Sequence, residues 1–424
     1  LYAGSDINNA DGSVVVSKGT LIEKAVTGED GKAVFTADLP IGFSFDVKEI
    51  QAPAGYLRNQ EDVYSFTFSY TNDSEAKVTF THTFVNERVN ATIKLQKKDA
   101  ETNQAVPQGD ATLENAVYGL YARKDIVHPD GATGVIYKAG DRVSTLTTDE
   151  NGEASVENLY LGEYFVKEIT PPVGYLADES EHDLVCSYEG DLTATVEREC
   201  VSLEQVKKQP FEIIKAANNG ETDADLLSGA GFTAYLLSDL TVKEDGSYDF
   251  DSAEPVVIGE NGATEMFTDE KGYACSIALP YGTYLVRETT TPHNYKPVDD
   301  FIVRITEHNP TTPQVWRVLL DEEFEAKLKI IKQDDETKKP VLHKGTEFRI
   351  YDLDKQEYVE QVTTYPTTTV HKTFFTDEEG YLILPQNLKI GHYRIEEVTA
   401  PYGYTLNENY FEIAVDSDTA YQID

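Results

Sequence analysis

The sequence has very little sulfur. Among its 424 residues there are three Cys and one Met. Three Cys cannot form a closed set of disulfides, and no Cys-x-x-Cys pair suggests a metal or redox site. The sequence leaves two alternatives open, a bridge between Cys186 and Cys200 or unpaired buried thiols. Long apolar runs are also missing, and without a run of about 18 residues no membrane-spanning helix is predicted.

Positive charge is scarce as well. The chain has 36 Lys and Arg against 75 Asp and Glu, which gives a formal net charge of −39. Such a surplus of acid excludes binding to a nucleic-acid backbone, because phosphate affinity needs surplus Lys and Arg. It also disfavours docking on an anionic membrane. Disorder is excluded by the 40% of hydrophobic residues, including 26 Tyr and 18 Phe, and the length predicts two to four domains.

Motifs for turnover chemistry are missing too. The eight His are scattered and show no spacing typical of a metalloprotease, and there is no Gly-rich phosphate loop or Gly-x-Ser-x-Gly. We therefore predict no metal and no cofactor, and an enzyme is the least favoured class.

The chain repeats itself, with a period of roughly 110–120 residues. One series ends in an aromatic residue and carries a Glu at a fixed place, and its members are 45–56, 164–175, 284–295 and 393–404. A second series reads as turns with a final Gly, and its members are 27–31, 148–152, 268–272 and 376–380. A third series contributes a Lys at 97, 215 and 332. Three series in one order indicate tandem copies of one domain.

The local pattern is that of β-strands. Residues 64–70 and 78–84 alternate aromatic or apolar residues with hydroxyl residues, as expected of strands with one buried face. Short strands separated by Gly and Asp turns predict an all-β chain of tandem immunoglobulin-like sandwiches. Short junctions between the repeats predict an elongated rod.

The repeats predict four domains. Comparison of the repeats gives a first domain at 1–90 without its first strand, complete domains at 91–208 and 209–325, and a fourth at 326–424 without its last strand. The abrupt start at Leu1 reads as a processed or excerpted segment.

The motifs in combination resemble a known family. Lys-x-Asp-x-Glu-Thr at 97–102 and 332–337 precedes Thr-Asp-x-x-Gly and then Glu-x-x-x-Pro-x-Gly-Tyr, as at 168–175. This order resembles the collagen-adhesin B-type (Cna-B), or SpaA-type prealbumin-like, repeat domains. The resemblance implies stalks and shafts of Gram-positive surface adhesins and sortase-assembled pilins. It also implies an intramolecular isopeptide bond between a first-strand Lys and a last-strand Asn or Asp, promoted by the Glu.

Each repeat can be assigned its share of these residues. The third domain has the complete set of Lys215, Glu288 and Asp321. The other sets are incomplete, and they are Glu49 and Asn86 in the first domain, Lys97, Glu168 and Glu204 in the second, and Lys332 and Glu397 in the fourth.

We accordingly predict one isopeptide bond, between Lys215 and Asp321. A lysine amine attacks an acyl carbon only when it is neutral, and burial favours the neutral forms of amines and carboxyls. In the second domain Glu204 stands where Asn or Asp belongs, and its longer side chain is expected to misplace the carbonyl. An ionic cluster of Lys97, Glu168 and Glu204 is predicted there. Plain ion pairs in every domain are the alternative.

The leading interpretation is a stalk segment of an extracellular, cell-wall-anchored Gram-positive protein, a monomeric rod within a longer chain. The alternative is that these sandwiches themselves bind a host protein, such as a matrix component or an immunoglobulin. The insertion at 242–251 favours such a role or is an ordinary long hairpin. A pilin shaft is less favoured, since no pilin motif or sorting signal is seen. The Thr-Asp-x-x-Gly segments are predicted to be turns rather than calcium sites.

Overall fold

The alternating sequence pattern folds almost entirely into strands. The computed structural model describes residues 1–70, 78–218, 225–315 and 317–418, and these contain 36 strands and three 3-10 helices of three residues each. In these ranges no helix has the length and apolar character needed to cross a membrane. The chain divides into two compact units, Leu1–Val206 and Lys207–Asp424. The prediction of an all-β chain of tandem sandwiches is confirmed.

The first unit contains the strands of the first and second sandwiches. The first sandwich has β1 (Tyr2–Ala3), β2 (Ile7–Asn8), β3 (Val14–Val16), β4 (Phe43–Lys48) and β5 (Val63–Phe68). The second has β6 (Asn90–Asp99), β7 (Val117–Ala122), β8 (Ile126–Val127), β9 (Val135–Tyr137), β10 (Arg142–Thr147), β11 (Glu153–Leu159), β12 (Gly162–Thr170), β13 (Glu181–Cys186) and β14 (Thr195–Glu204).

The second unit contains those of the third and fourth sandwiches. The third has β15 (Lys208–Gln209), β16 (Glu212–Asn218), β17 (Gly231–Leu236), β18 (Thr241–Val242), β19 (Tyr248–Asp249), β20 (Glu265–Phe267), β21 (Tyr273–Cys275), β22 (Leu279–Pro280), β23 (Gly282–Thr290), β24 (Phe301–Ile305) and β25 (Arg317–Glu322), and 3-10 helices at Leu237–Asp239, Phe250–Ser252 and Glu260–Gly262. The fourth has β26 (Glu325–Ala326), β27 (Lys329–Ile331), β28 (Glu347–Asp352), β29 (Glu357–Tyr358), β30 (Gln361–Thr363), β31 (Thr369–His371), β32 (Phe374–Phe375), β33 (Tyr381–Ile383), β34 (Leu388–Lys389), β35 (Gly391–Thr399) and β36 (Phe411–Val415).

The second and third sandwiches share one plan. Each packs a four-stranded sheet, β10-β7-β12-β13 or β20-β17-β23-β24, against a three-stranded sheet, β11-β6-β14 or β21-β16-β25. The first long strand, β6 or β16, lies at the centre of the smaller sheet and runs parallel to the last strand, β14 or β25. Large aromatic side chains such as Tyr118, Tyr164 and Phe232 are fully buried between the sheets, where each removes a large apolar area from water.

The first sandwich shows what the central strand contributes. Its described residues form the sheet β1-β4-β5 and the pair β2-β3, and no strand is assigned within 78–87, so the prediction of a strand at Val78–Phe84 is wrong. In the second and third sandwiches the corresponding last strand pairs with the central first strand. The described part of residues 1–90 supplies no such strand, so the last segment has no ladder to join.

In the fourth sandwich the difference lies at the opposite edge of the smaller sheet. The strand β27 pairs antiparallel with β33, and in the described residues no last strand lies on its other side. The larger sheet is present, with the order β29-β28-β35-β36 and with β32 also paired to β28.

The repeated Thr-Asp-x-x-Gly segments are turns. In the third sandwich the Asp269 carboxylate accepts the backbone N–H groups of Lys271 and Tyr273, at 2.8 and 2.9 Å. The carbonyl of Gly272 accepts the N–H of Lys215 at 2.7 Å. The turn therefore fixes the backbone of β16 at the lysine. In the described ranges no cluster of His, Cys, Asp and Glu could hold a metal ion.

Replacing Gly272 by Ala tests this contact. Gly272 has φ +64°, and an added Cβ would collide with the carbonyl oxygen of Lys215. We expect Gly272→Ala to lower the calorimetric stability of the third sandwich by about 1–3 kcal/mol more than the control does, because of overpacking. The control is Gly246→Ala, which has φ +86° but meets nothing within 4 Å. Equal losses in the two variants would contradict the prediction.

Candidate functional site

The core of the third sandwich holds a lysine between two carboxyl groups. Lys215 lies on β16, Glu288 on β23 and Asp321 on β25, and all three side chains have 0% exposure. The amine of Lys215 donates to Glu288 Oε2 at 2.8 Å and contacts Asp321 Oδ1. The structure therefore brings together the complete set that the sequence assigns to this domain.

Strand register places these groups. In the parallel pair β16–β25, Ala217 stands opposite Asp321, so the acceptor lies two residues beyond Lys215 on the same face. Glu288 comes from the facing sheet and is held by the N–H of Val298, which donates to Oε2 at 2.9 Å. The ring of Phe232, which pairs with Glu288 across β17 and β23, lies 5.6 Å from the amine. The surroundings of the amine are thus an apolar wall and two acids.

Burial changes the ionisation of the acceptor. The pKa of Asp321 is raised to about 6, chiefly by burial, and the neighbouring Glu288 adds to the rise while Lys215 opposes it. Asp321 Oδ2 is buried and accepts no hydrogen bond from an N–H group or hydroxyl in the described ranges. With this pKa a minor fraction of the Asp321 carboxyl is protonated near neutral pH, and the protonated form is an acyl donor, because its hydroxyl can leave as water. The arrangement can therefore condense the amine and the acid.

The second sandwich has the same arrangement with a longer acceptor. Lys97 on β6 is fully buried and lies 3.4 Å from Glu168 Oε1, and its amine also contacts Glu204 Oε1. The structure thus brings together the three residues of the predicted ionic cluster. It adds two hydroxyl groups, those of Tyr118 and Ser202, which both donate to Glu204 Oε1.

The sequence interpretation missed these two hydroxyl residues. Tyr118 is the register partner of Glu168, as Phe232 is of Glu288 and Phe348 is of Glu397. A comparison of the repeats at this position would have shown one Tyr among Phe residues.

The first and fourth sandwiches hold partial sets. In the first, the side-chain amide of Asn86 donates to Glu49 Oε2 and to the Leu57 carbonyl, each at 2.7 Å. In the fourth, the Lys332 amine contacts both oxygens of Glu397, at 2.9 and 2.8 Å, and the described ranges supply no second acid to it. A cavity of about 410 Å³ lies beside this pair.

The cysteines are unpaired. Cys186 and Cys200 are buried in the second sandwich and Cys275 is exposed, and all three are free thiols. The bridge between Cys186 and Cys200 that the sequence left open is therefore absent.

Comparison with known proteins gives one family. The model of the SpaA prealbumin-like fold domain matches residues 3–83, 91–199, 210–317 and 326–424. No curated protein matches the chain.

Several solved structures are similar. The Bacillus anthracis TIE protein is 24% identical with a TM-score of 0.37, and the match covers 78% of this chain and 48% of that one, about half of its length. A streptococcal ancillary pilin is 16% identical with a TM-score of 0.28, over 78% of this chain and 96% of the pilin. BcpA, the major pilin subunit of Bacillus cereus, is 16% identical with a TM-score of 0.26, over 78% and 97% of the two chains.

The raised pKa of Asp321 predicts that the stability of the third sandwich depends on pH, and a variant without Lys215 makes this dependence measurable. In Lys215→Met the carboxyl pair stays buried and loses the cation that lowers the pKa of Asp321. An acid whose pKa is raised in the folded state stabilises the fold at pH values below its ordinary pKa, and this contribution is lost as pH rises through the folded-state pKa. In this variant the folded-state pKa of Asp321 lies above the value of about 6 that it has beside Lys215. We expect the third sandwich of this variant to be more stable at acid pH than in alkali, by roughly 3 kcal/mol or more.

Calorimetry of the full chain across this range measures the difference. The control is Lys243→Met, because Lys243 is half-exposed and pairs with Asp249 at 3.4 Å. The control should show no such trend in the third sandwich. A Lys215→Met chain whose stability rises with pH would contradict the prediction.

Proposed function

This chain belongs to the SpaA prealbumin-like fold family, and on that premise we propose that it is a stalk segment of a Gram-positive surface adhesin or pilin. Its role is mechanical and involves no turnover. It carries other parts of an extracellular, cell-wall-anchored protein away from the surface and resists force and proteases. The four predicted domains form successive segments of a monomeric rod.

The observation that carries this proposal is the buried set of Lys215, Glu288 and Asp321. We infer that the amine attacks Cγ of Asp321, so that an Nζ–Cγ bond forms and a Cγ–O bond breaks. The oxygen leaves as water with one proton from the amine and one from the carboxyl, and Glu288 relays protons between them. The reaction occurs once in each chain, as maturation.

The bond would tie the first long strand of the third sandwich to its last. Lys215 and Asp321 are 106 residues apart in the chain, and closing such a loop stabilises the fold by roughly 4–5 kcal/mol in the cross-link entropy model. The strands β16 and β25 are neighbours. A force that pulls on the two ends of the sandwich would therefore be carried by the amide, and the strands between them in sequence would bear no load. This is the property that a stalk needs.

Peptide mapping of the purified chain tests the bond. We expect a peptide that joins Lys215 to Asp321 and is lighter by one water than its two parts. Asp321→Ala should abolish it, whereas Glu322→Ala, which changes an exposed residue next in sequence, should leave it intact. Recovery of both peptides unlinked from the native chain would refute the proposal.

Stretching single molecules tests the mechanical role. The native third sandwich should not extend between its linked strands under force. Asp321→Ala should add an extension of about 35 nm when this sandwich unfolds, since 106 residues can span about 3.4 Å each. The same extension in both chains would contradict a force-resisting function.

A second candidate function is binding of a host protein such as a matrix component or an immunoglobulin. The feature that favours it is the insertion at 242–251, where β18 and β19 form a hairpin with an exposed acidic tip that includes Glu244 and Asp245. A host-protein array probed with the chain distinguishes the two functions. A binder gives a saturable signal that is lost when the tip is replaced by glycines, and a pure stalk gives none.

A further inference from the structure

The second sandwich places its acceptor as the third does, although the residue is a glutamate. In the parallel pair β6–β14, Glu204 stands opposite Asp99, two residues beyond Lys97. Asp321 has the same offset from Lys215. The side chains of Lys97 and Glu204 are 0% and 1% exposed, and the amine contacts Glu204 Oε1. The extra methylene of glutamate therefore does not carry its carboxyl away from the amine.

Two hydroxyl groups hold the longer side chain in place. Tyr118 donates to Glu204 Oε1 at 2.6 Å, and Ser202 donates to the same oxygen at 3.3 Å. In the third sandwich the corresponding register positions are the apolar Phe232 and Leu319. The two hydroxyl groups thus occur in the sandwich whose acceptor is a glutamate and are replaced by apolar residues where the acceptor is an aspartate. Donors aimed at an acyl oxygen stabilise the negative charge that develops on it during attack by an amine.

Glu168 completes the set as a proton carrier. Its Oε1 lies 3.4 Å from the Lys97 amine, and its Oε2 accepts the N–H of Asp178 at 2.8 Å. The pKa of Glu168 is raised to about 7, first by burial and then by the neighbouring Glu204 carboxyl. It can therefore hold or release a proton near neutral pH, between the amine and the acceptor.

The other acceptor oxygen is the one that would leave. Glu204 Oε2 is buried and accepts no hydrogen bond from an N–H group or hydroxyl in the described ranges, as is also true of Asp321 Oδ2. Loss of this oxygen as water removes a poorly satisfied polar atom from the core. It also replaces a buried ion pair, which is costly to desolvate, by a neutral amide.

From these contacts we propose that the second sandwich matures by forming an amide between Nζ of Lys97 and Cδ of Glu204. The Nζ–Cδ bond forms and the Cδ–Oε2 bond breaks. The departing water takes one proton from the amine and one from the carboxyl, with Glu168 as the relay. Tyr118 and Ser202 are positioning residues that hold the carbonyl oxygen. This inference rests on the same chemistry as the proposed function and extends it to a glutamate acceptor.

Peptide mapping of the unmodified full chain is the test. We expect a linked peptide that joins Lys97 to Glu204 and is lighter by one water than its parts, and an intact mass lower by two waters when the bond at Lys215 is counted. Lys97→Arg should lose the first link and keep the second. Glu204→Gln should form the same linked product by releasing ammonia.

The role of the Tyr118 hydroxyl is tested by the rate at which the linked peptide appears. Tyr118→Phe should slow the appearance of the linked peptide after cell-free synthesis by about a hundredfold, the usual effect of losing one donor to an acyl oxygen. The control is Tyr164→Phe, another buried tyrosine, whose hydroxyl donates to the Tyr160 carbonyl and not to Glu204. Equal rates in the two variants would overturn the assigned role of Tyr118.

Peptide mapping distinguishes failure of the Lys97–Glu204 bond from failure of the Lys215–Asp321 bond. A native chain that is linked at Lys215 but yields unlinked Lys97 and Glu204 peptides overturns this inference, supports the ionic cluster and leaves the proposed function standing. A link at Lys97 without one at Lys215 supports this inference and refutes the Lys215–Asp321 bond.

Discussion

A lysine amine buried among carboxyl groups is the interaction on which the second and third sandwiches depend. A charge withdrawn from water is costly unless it is paired, so Lys97 and Lys215 can be buried only where strands from both sheets bring acids to them. That requirement fixes register, because a slip of one residue would turn the lysine away from the core. Two further contacts hold the lysine in this position. One is the turn whose carbonyl accepts the lysine N–H, and the other is the glutamate that comes from the facing sheet.

The described residues of the first and fourth sandwiches show the same dependence by contrast. The first strand is the centre of the smaller sheet in the second and third sandwiches. In the first sandwich, whose described residues do not include this strand, the last segment remains without a ladder. In the fourth, Lys332 keeps Glu397 as its partner and retains 15% side-chain exposure beside a cavity. In the second and third sandwiches the first long strand is thus the one that holds both edge strands of the smaller sheet.

Much of this could be predicted from the sequence because it is periodic. Alternation along strands and the recurrence of Lys, Glu and turn glycines identify the fold and the members of each set. The strand at Val78–Phe84 was wrongly predicted, since alternation shows which face would be buried but not whether a partner strand is present. Tyr118 and Ser202 were missed because their role depends on cross-strand register. Their contacts with Glu204 could not be predicted either, since Tyr118 is distant from it in sequence.

The parallel pairing of the first long strand with the last also sets an order in time. In the third sandwich Lys215 is synthesised 106 residues before Asp321, and the intervening chain contains the facing sheet that supplies Glu288. The two side chains therefore cannot meet while the domain is still emerging from a ribosome or, if the chain is exported, from a secretion channel. An amide formed after emergence would close the domain into a covalent loop that can no longer be drawn through such a channel as a single extended strand. If the chain is exported, the proposed amide would make its passage across a membrane a one-way event.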